Sequence, residues 1–561
     1  MKKSYSRGSQ DRGLLSQTIG EAFDLAVERY GSRPALVSAH QGLRYNWSEL
    51  GLAVDTCARA FLALGIDRGE RIGIWSTNCA EWTVVQLASA KIGAVLVNIN
   101  PAYRRSELEY VLEQSGCCWL ICSDSFKTTN YHEIIRAVVP SIGSASPGCL
   151  WEETFPQLRG VISLAATPVE GFLPWSALEG LAEHVESNLL RQREATLEFD
   201  DPINIQYTSG TTGFPKGATL SHHNIINNGY MVGARLGLSE QDKVVIPVPL
   251  YHCFGMVMGN LACLTHGATM LYPAASFDPE ATLKVIAEER ASVLYGVPTM
   301  FISLLDHPLL DQVDLGSLRT GIMAGATCPI NVMRRVICEM HMTQVQIAYG
   351  MTETSPVSLQ TNSDDELELR VTTVGRTQPH LETKIVDSDG RTVQRGTVGE
   401  LCTRGYSVML GYWNNPEATR EAIDSAGWMH TGDLAQMDEA GYVQIVGRSK
   451  DMIIRGGENI YPREIEELLY RHPAVADAQV IGIPDSRYGE EVVAWIKLHP
   501  GHVADEEMLR GYCKEQISHF KVPRIFTFVE EFPMTVTGKV QKFRMREISL
   551  ANANPAPKVQ A

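Results

Sequence analysis

The sequence predicts an α/β protein: a large N-terminal α/β domain with sheets flanked by helices, followed by a small, mobile C-terminal α+β domain. Its 561 residues exceed what one hydrophobic core normally supports. Strand-like apolar runs alternate with helix-like segments through most of the chain, which favours largely parallel sheets. Residues 447–459 are rich in charged residues and glycines, and they precede the short C-terminal unit. Such a composition is typical of a hinge. We therefore expect domains at 1–447 and 448–561.

The elements of the first 200 residues follow from local patterns. An amphipathic helix is predicted from Ile19 to Tyr30, and a second from Trp47 to Leu64 with Asn46 as its N-cap. Strands are predicted at 35–37, 43–45, 71–75, 94–98 and 118–122, with helices at 79–92 and 106–114 between the later ones. Residues 125–200 are less regular and contain Ser, Pro and Gly, so we expect a surface insertion there.

The remaining elements continue the alternation. Ser221 is a candidate cap for a helix from His222 to about Val232, and residues 244–250 read as a buried strand. Strand and helix signals then alternate as far as residue 348. The last unit contains predicted helices at 462–469 and 506–517 and strands at 474–483 and 491–498, which is enough for a small α+β domain.

Composition limits the classes of function. The formal net charge is −16 and the sequence pI is about 5.5, which argues against nucleic acid and anionic membranes as partners. The twelve cysteines form no Cys-x-x-Cys pair, so we expect reduced thiols and a cytoplasmic protein. The N-terminus lacks a secretory apolar region, although a short organellar transit peptide stays open. The apolar stretch from Trp82 to Ile99 contains Gln86 and Lys91 and predicts a helix and a strand rather than an integral membrane segment.

The segment from Tyr207 to Gly217, YTSGTTGFPKG, predicts a phosphate site. It is dense in hydroxyls, glycines that free backbone N–H groups, and one lysine, and it follows a short strand. The candidate ligands of an anion are Thr208, Ser209, Gly210, Thr211, Thr212 and Lys216. A flexible polar turn is the alternative interpretation. The segment is not a P-loop, because the lysine is neither preceded by Gly nor followed by Ser or Thr.

Three further segments favour a nucleotide at the same site. Small residues at 324–327 would allow a flat ring to approach the backbone, and Tyr349 in YGMTET offers a stacking face. Glu353 in the same motif is an oxygen ligand suited to Mg²⁺, although a Glu in the first turn of a helix is an ordinary feature. Asp433 in HTGDL is suited to ribose hydroxyls, or is simply a turn residue.

In this order, YTSGTTGFPKG, YGMTET, HTGDL, GRSKD and TGKVQK resemble the acyl- and aryl-adenylate-forming superfamily over roughly residues 15–550. GRSKDMIIRGGENIYPREIE and GAVLVNINPAYRRSELEYVL are most similar to medium-chain fatty acyl-CoA synthetases of the acyl-CoA synthetase family member 2 type. The resemblance implies an ATP-dependent ligase that activates a hydrophobic acid as acyl-AMP and transfers the acyl group to CoA, with Mg²⁺ as cofactor. Its members are commonly monomers or dimers, so a homodimer is an option.

The resemblance also implies roles for individual residues. Lys539 would bridge the carboxylate and the α-phosphate, Thr352 would contact the α-phosphate, and Glu353 would hold Mg²⁺. His252 would gate the acyl site, or would be a structural histidine. Adenine would lie between Tyr349 and the backbone of Gly325, Ala326 and Thr327, with ribose on Asp433 and Arg448. Lys450 would be the hinge, and Gly456, Gly457 and Glu458 would line the CoA tunnel.

Other functions remain open at this stage. Within the superfamily, a stand-alone adenylation enzyme could load a carrier protein in trans, and a luciferase-like oxygenase is conceivable. From another class, a non-catalytic nucleotide-binding regulator could retain the fold. The presence of both Lys539 and Glu353 favours an enzyme. Apolar candidates for the acyl pocket, such as Met256 and Met300, favour a hydrophobic acid over acetate.

Overall fold

The structure is a computed structural model that describes residues 2–208, 215–326, 328–448, 450–455, 458–485, 488–535 and 539–553. The helices are α1 (Ile19–Tyr30), α2 (Trp47–Ala63), α3 (Ala80–Ile92), α4 (Arg105–Ser115), α5 (Tyr131–Val138), α6 (Ala177–Ala182), α7 (Ser187–Glu194), α8 (His222–Leu236), α9 (Ala262–His266), α10 (Pro279–Glu289), α11 (Pro298–Leu305), α12 (Ile330–Glu339), α13 (Leu367–Thr372), α14 (Pro416–Ala422), α15 (Pro462–Leu469), α16 (Glu506–Gln516) and α17 (Lys542–Ala553).

The strands are β1 (Tyr5–Arg7), β2 (Pro34–Ser38), β3 (Leu43–Asn46), β4 (Arg71–Trp75), β5 (Val95–Asn98), β6 (Cys117–Cys122), β7 (Ser125–Phe126), β8 (Thr129–Asn130), β9 (Gly160–Ser163), β10 (Leu173–Pro174), β11 (Pro202–Thr208), β12 (Lys216–Ser221), β13 (Lys243–Val245), β14 (Thr269–Tyr272), β15 (Val293–Gly296), β16 (Thr320–Ala324), β17 (Gln344–Gly350), β18 (Val357–Gln360), β19 (Arg376–Thr377), β20 (Leu381–Val386), β21 (Gly399–Gly405), β22 (Gly411–Tyr412), β23 (Met429–Met437), β24 (Val443–Arg448), β25 (Ile453–Arg455), β26 (Glu458–Ile460), β27 (Val475–Asp485), β28 (Gly489–Leu498) and β29 (Ile525–Phe528).

Two large sheets and one smaller sheet form the N-terminal part. The eight-stranded sheet has the order β10-β9-β6-β4-β5-β11-β12-β22 and is parallel from β10 to β11. The nine-stranded sheet has the order β19-β18-β17-β16-β15-β13-β14-β2-β3 and is parallel from β17 to β2. The antiparallel sheet β1-β20-β21-β23-β24 completes this part. The predicted α/β class is therefore confirmed.

One part of the core joins the two large sheets, and two further apolar clusters pack helices against each sheet separately. Helix α3 is buried on nearly all sides, as expected for a helix without a solvent face. One apolar cluster joins it to strands of both sheets, for example through Ile72 and Val244. The carboxyl ends of the parallel strands β16 and β17 lie at one edge of the nine-stranded sheet. The end of β11 lies close to the end of β17, because Thr208 donates a hydrogen bond to Glu353.

Several local predictions are confirmed, with their physical causes visible. Helix α1 spans the predicted residues, and a capping box joins Thr18 and Glu21 at its start. Asn46 caps α2 through the backbone N–H of Glu49. The stretch from Trp82 to Ile99 is the helix and strand predicted, and among the described residues no helix is both long and apolar enough to cross a membrane.

Two predictions about the N-terminal part were wrong. The strand expected at 244–250 ends at Val245, because Pro247 and Pro249 cannot donate to a sheet ladder. Residues 125–200 are more than a surface insertion, since β9 and β10 extend the eight-stranded sheet beyond β6. Their Ser, Pro and Gly residues lie largely in the turns between these short elements.

The elements after residue 450 have hydrophobic clusters of their own. Strands β27 and β28 pair antiparallel along almost their whole length, with β25 and β29 beside β28. Helices α15 and α16 pack on this sheet through Ile465, Leu469 and Leu509. This matches the expected small α+β unit. The boundary at residues 447 and 448 and the hinge role of Lys450 stay predictions.

Candidate active site

The phosphate side of the candidate site is the hairpin of β11 and β12. Thr208 and Lys216, two of the predicted phosphate ligands, are directly paired across the hairpin. Ser209, Gly210, Thr211 and Thr212 lie outside the described residues. The Nζ atom of Lys216 lies 5.1 Å from the centre of the Tyr412 ring, so its charge stands at the mouth of this hairpin.

Glu353 lies beside the hairpin, in a 3₁₀ turn that follows β17. It is only 5% exposed, and its Oε1 atom accepts hydrogen bonds from Thr208 Oγ1 at 3.1 Å and Tyr412 Oη at 2.8 Å. These hydroxyls are its neutral partners, so the charge of the carboxylate stays available to a cation. The oxygen-rich set of Glu353 and Thr208 fits Mg²⁺, which prefers hard oxygen ligands.

The nucleoside side is formed by Tyr349 at the end of β17 and by the antiparallel strands β23 and β24. Asp433 and Arg448 are paired across these strands, and Arg448 Nε donates to Asp433 Oδ1 at 3.1 Å. The Tyr349 hydroxyl donates to the other oxygen, Asp433 Oδ2. Burial and the adjacent Asp433 raise the pKa of Tyr349, so the phenol stays protonated. Each Asp433 oxygen retains a lone pair for a ribose hydroxyl.

The small-residue turn after β16 lies at the same edge. Gly325 has a φ of +89° and, like Ala326, is exposed. A side chain at Gly325 would be strained and would lie 3.2 Å from Val297 Cγ1. The backbone is therefore bare where a flat ring is expected, while Thr327 lies outside the described residues.

Lys539 reaches this edge from the C-terminal part of the chain. A Cβ atom placed on Gly325 would lie 4.0 Å from Lys539 Cε. The backbone N–H of Lys539 donates to Thr535 Oγ1 at 3.0 Å, which orders the start of the segment. Surrounding protein atoms lower the pKa of Lys539, and the positive charge of Arg448 adds to that effect. An anion between Lys539 and Arg448 would relieve this repulsion.

His252 and Thr352 lie near Lys539, whose positive charge acts on His252 and on the neighbouring Cys253. The backbone N–H of Phe254 donates to His252 Nδ1 at 3.1 Å, which assigns the ring proton to Nε2. Cys253 Sγ lies 3.8 Å from Thr352 Oγ1 and joins the two segments. Burial lowers the pKa of His252 to about 3, with a further contribution from the positive charge of Lys539. His252 is thus a neutral side chain rather than a proton donor near pH 7.

The predicted hinge and tunnel residues are only partly described. Lys450 lies in a turn directly after β24, where the backbone N–H groups of Asp451 and Met452 donate to Arg448 O. Glu458 is exposed at the start of β26. Gly456 and Gly457 lie outside the described residues. The roles of these four positions stay predictions.

Two features of the site were missed from the sequence. Tyr412 holds Glu353 in place, but a lone tyrosine after a glycine carries no signal for such a contact. Residues Phe254–Leu261 form a fully buried π-helix directly after His252. Such wide turns occur at functional sites, and the three residues Gly255, Gly259 and Asn260 in an otherwise apolar run were the available hint.

The buried histidines predict a dependence of stability on pH. Burial also lowers the pKa of His222 to about 3, and its Nδ1 atom accepts the Ile19 N–H at 3.0 Å. Between pH values of about 3 and 6.5, His222 and His252 bind protons in the unfolded chain but stay neutral in the folded chain. We expect the free energy of unfolding to fall as the pH is lowered below about 6.5. Urea unfolding at a series of pH values should show this slope, and His222→Gln should flatten it. An unchanged slope in that variant would contradict the assignment.

Comparison with known proteins now identifies the family. The sequence profile described as "AMP-binding enzyme" matches residues 23–413, and "AMP-binding enzyme C-terminal domain" matches residues 464–539. YngI of Bacillus subtilis (strain 168) is 47% identical over 542 residues, covering 96% of this chain and 98% of that protein. "Medium-chain acyl-CoA ligase ACSF2, mitochondrial" of Rattus norvegicus is 45% identical over 551 residues, covering 97% and 89%. Among solved structures, ATP-bound MatB from Rhodopseudomonas palustris has a TM-score of 0.82 at 28% identity, covering 95% and 100%.

The chain belongs to the AMP-binding enzyme family. The predicted membership of the adenylate-forming superfamily is therefore confirmed, and with it the class of an ATP-using enzyme. The rat relative is named mitochondrial and YngI is bacterial, so the cytoplasmic location of this chain stays a prediction.

Proposed function

We propose that this chain is an AMP-forming acyl-CoA ligase that activates a hydrophobic, medium-chain fatty acid. The ligase class rests on the family and on near full-length relatives that include an acyl-CoA ligase. The observation that carries the proposal is the position of Lys539. Lys539 belongs to the C-terminal part of the chain, and its side chain lies next to Gly325. Glu353 and Asp433 are among its charged neighbours.

The first step brings two anions together, the carboxylate of the acid and the phosphates of ATP. The positive residues of the site would reduce the repulsion between them. The carboxylate of the acid attacks the α-phosphorus of ATP, the bond to the β,γ-phosphates breaks, and pyrophosphate leaves. Lys539 would place positive charge between the attacking carboxylate and the α-phosphate, with Thr352 beside it, while Lys216 would hold the β- and γ-phosphates. Glu353 and Thr208 would hold Mg²⁺, which neutralises phosphate charge when bound. Asp433 and Arg448 would fix the ribose.

The second step requires Lys539 to leave. The sulfur of CoA attacks the carbonyl carbon of acyl-AMP and AMP departs, so the thiol needs the side of the carbonyl that Lys539 occupies. A rotation of the small domain about Lys450 would withdraw Lys539 and bring the Glu458 loop to the site. The turn at Lys450 supports this proposal, because it lies directly between Arg448 of the nucleoside side and the small domain.

The acyl pocket supports a hydrophobic acid. His252 is followed by the buried π-helix, which contributes Met256 and Met258. Val297 lies beside Gly325, and Met300 follows it in α11, both buried. Methionine side chains adapt to flexible apolar chains, so these buried apolar residues would suit an acyl chain lying among them.

A panel of acids should show this preference. With Mg-ATP and CoA, we expect release of AMP and pyrophosphate to peak at medium-chain fatty acids, with acetate and palmitate poorer by at least about tenfold in kcat/KM, since each buried CH₂ contributes about 0.8 kcal/mol until the pocket is full. The measurement is coupled pyrophosphate release for acids from acetate to palmitate and for aryl acids.

Two controls separate the alternatives. Omitting CoA should leave acyl-AMP on the enzyme with little turnover, and a carrier protein in place of CoA should not restore it. Turnover with the carrier protein alone would move the proposal to carrier loading. Absence of any acid-dependent pyrophosphate release would favour the non-catalytic regulator. Neither alternative is favoured by the relatives that match this chain.

A further inference from the structure

A cluster of metal-ligating side chains lies in the antiparallel sheet, apart from the residues assigned above. Glu400 and Cys402 are two residues apart in β21, so their side chains share one face of the strand. His430 in β23 is the direct cross-strand partner of Cys402. The register of the two strands shifts between Glu400 and Cys402, and the Glu400 side chain nevertheless lies against the same histidine.

The distances suit a tetrahedral ion. His430 Nδ1 lies 2.8 Å from Glu400 Oε2 and 3.6 Å from Cys402 Sγ, and the three donor atoms all lie within 4.8 Å of one another. Around a tetrahedral Zn²⁺ with ordinary bond lengths, neighbouring donor atoms are separated by about 3.3–3.6 Å. The pair of Cys402 and His430 already meets this spacing, and the distance from Glu400 Oε2 to His430 Nδ1 would need to grow by about half an ångström.

Neighbouring residues support both His430 and Cys402. Asp424 Oδ2 lies 3.8 Å from His430 Nε2, where a carboxylate would orient the ring of a metal-bound histidine. Trp428 and Val386 cover Cys402 with apolar surface. The side chains of His430 and Glu400 are each 30% exposed, which leaves access for an ion and for a water molecule as fourth ligand.

The charges around the cluster include carboxylates that would attract a cation. Glu400 and Asp424 supply two carboxylates, and binding of an ion would displace the proton of the Cys402 thiol. Two basic side chains lie close by, since Lys384, which pairs with Cys402 from β20, and Arg404 each lie 4.4 Å from the Trp428 ring. Arg404 is itself paired with Glu382.

We propose that Glu400, Cys402 and His430 form a binding site for a divalent transition-metal ion of the zinc class. The site differs in chemistry from the Glu353 region, because mixed sulfur, nitrogen and oxygen donors select zinc-like ions whereas Mg²⁺ takes oxygen ligands. A bound ion would cross-link β21 to β23 and stabilise the folded chain. Glu400 Oε1 also accepts the Gly432 N–H at 3.0 Å, so the site adjoins Asp433.

Cobalt(II) provides the test, because thiolate coordination gives a charge-transfer absorption in the near ultraviolet. The full chain, stripped of metal, is titrated with Co²⁺ in excess Mg²⁺ without nucleotide. We expect one equivalent to produce the thiolate band together with intense visible bands of a tetrahedral ion. Cys402→Ser should abolish the thiolate band and weaken binding by at least about tenfold, and Asp424→Asn should weaken it by about tenfold or more. The control is the double variant Cys149→Ser/Cys338→Ser, which removes two exposed thiols and should bind as wild type.

A thermal shift gives an independent readout. Zn²⁺ should raise the Tm of the wild type and of the control, and should leave the Tm of His430→Gln unchanged. The His430 variant also keeps the test valid if Cys402→Ser fails to fold. The proposal is overturned if wild-type protein gives no thiolate band, if the band persists in Cys402→Ser, or if Zn²⁺ raises the Tm of His430→Gln as much as that of wild type.

Discussion

Lys539→Ala is expected to lower the rate of acyl-AMP formation by roughly 10² to 10³-fold, since it removes the charge between carboxylate and α-phosphate. The lysine lies beside Gly325, and its side chain keeps contact with solvent although nearby protein atoms lower its pKa. Transfer of the acyl group from supplied acyl-AMP to CoA should change by only a few-fold, because Lys539 must leave the site before the thiol attacks. Single-turnover assays of the two half-reactions measure both effects.

A matched control lies in the same domain. Lys514, an exposed residue in the last turn of α16, has no place in the proposed site, so Lys514→Ala should leave both half-reactions unchanged. Equal losses in both half-reactions of Lys539→Ala would contradict the separate role of Lys539 in the first step.

Glu353→Gln is expected to reduce acyl-AMP formation by about 10²-fold and to raise the Mg²⁺ concentration needed for half-maximal rate. Glutamine keeps the shape and still offers an Oε1 atom to Thr208 and Tyr412, so the variant should fold. It lacks the charge that would hold the ion. The measurement is the initial rate of pyrophosphate release against free Mg²⁺ at saturating ATP.

Tyr412→Phe distinguishes the charge of Glu353 from the positioning of its side chain. It removes one of the two hydroxyl donors to Glu353 and should raise the Mg²⁺ requirement only modestly. Glu417→Gln at the exposed start of α14 is the surface control and should match wild type. If Glu353→Gln showed the Mg²⁺ dependence of the wild type, Glu353 would not be the magnesium ligand.

Much of the fold was predictable because local and long-range signals agree. Helices α1 and α2 have side-chain caps and apolar periodicity, which act within a few residues of one another. The strands of the large sheets are apolar runs bounded by turns. The extent of β13 was mispredicted because apolarity outweighed Pro247 and Pro249. The role of residues 160–174 was missed because edge strands this short carry little pattern.

The motifs predicted which residues belong to the candidate site, but not how these residues contact one another. Asp433 and Arg448 are paired by strand register, which depends on the bulge between Leu434 and Ala435. Tyr412 reaches Glu353 only because β22 joins the edge of the sheet next to β12. Such contacts arise from packing between distant segments, and single-sequence patterns do not encode them.

The central claim is that the acid is activated through acyl-AMP, and isotope labelling of the carboxylate oxygen atoms tests it most directly. The enzyme is supplied with a medium-chain fatty acid labelled with ¹⁸O at both carboxylate positions, together with Mg-ATP and CoA, and the products are analysed by mass spectrometry. Attack of the carboxylate on the α-phosphorus transfers one carboxylate oxygen to AMP and leaves the other in acyl-CoA. The account predicts one ¹⁸O atom in each AMP formed and unlabelled pyrophosphate. Label in inorganic phosphate, or AMP without label, would contradict activation of the acid through acyl-AMP.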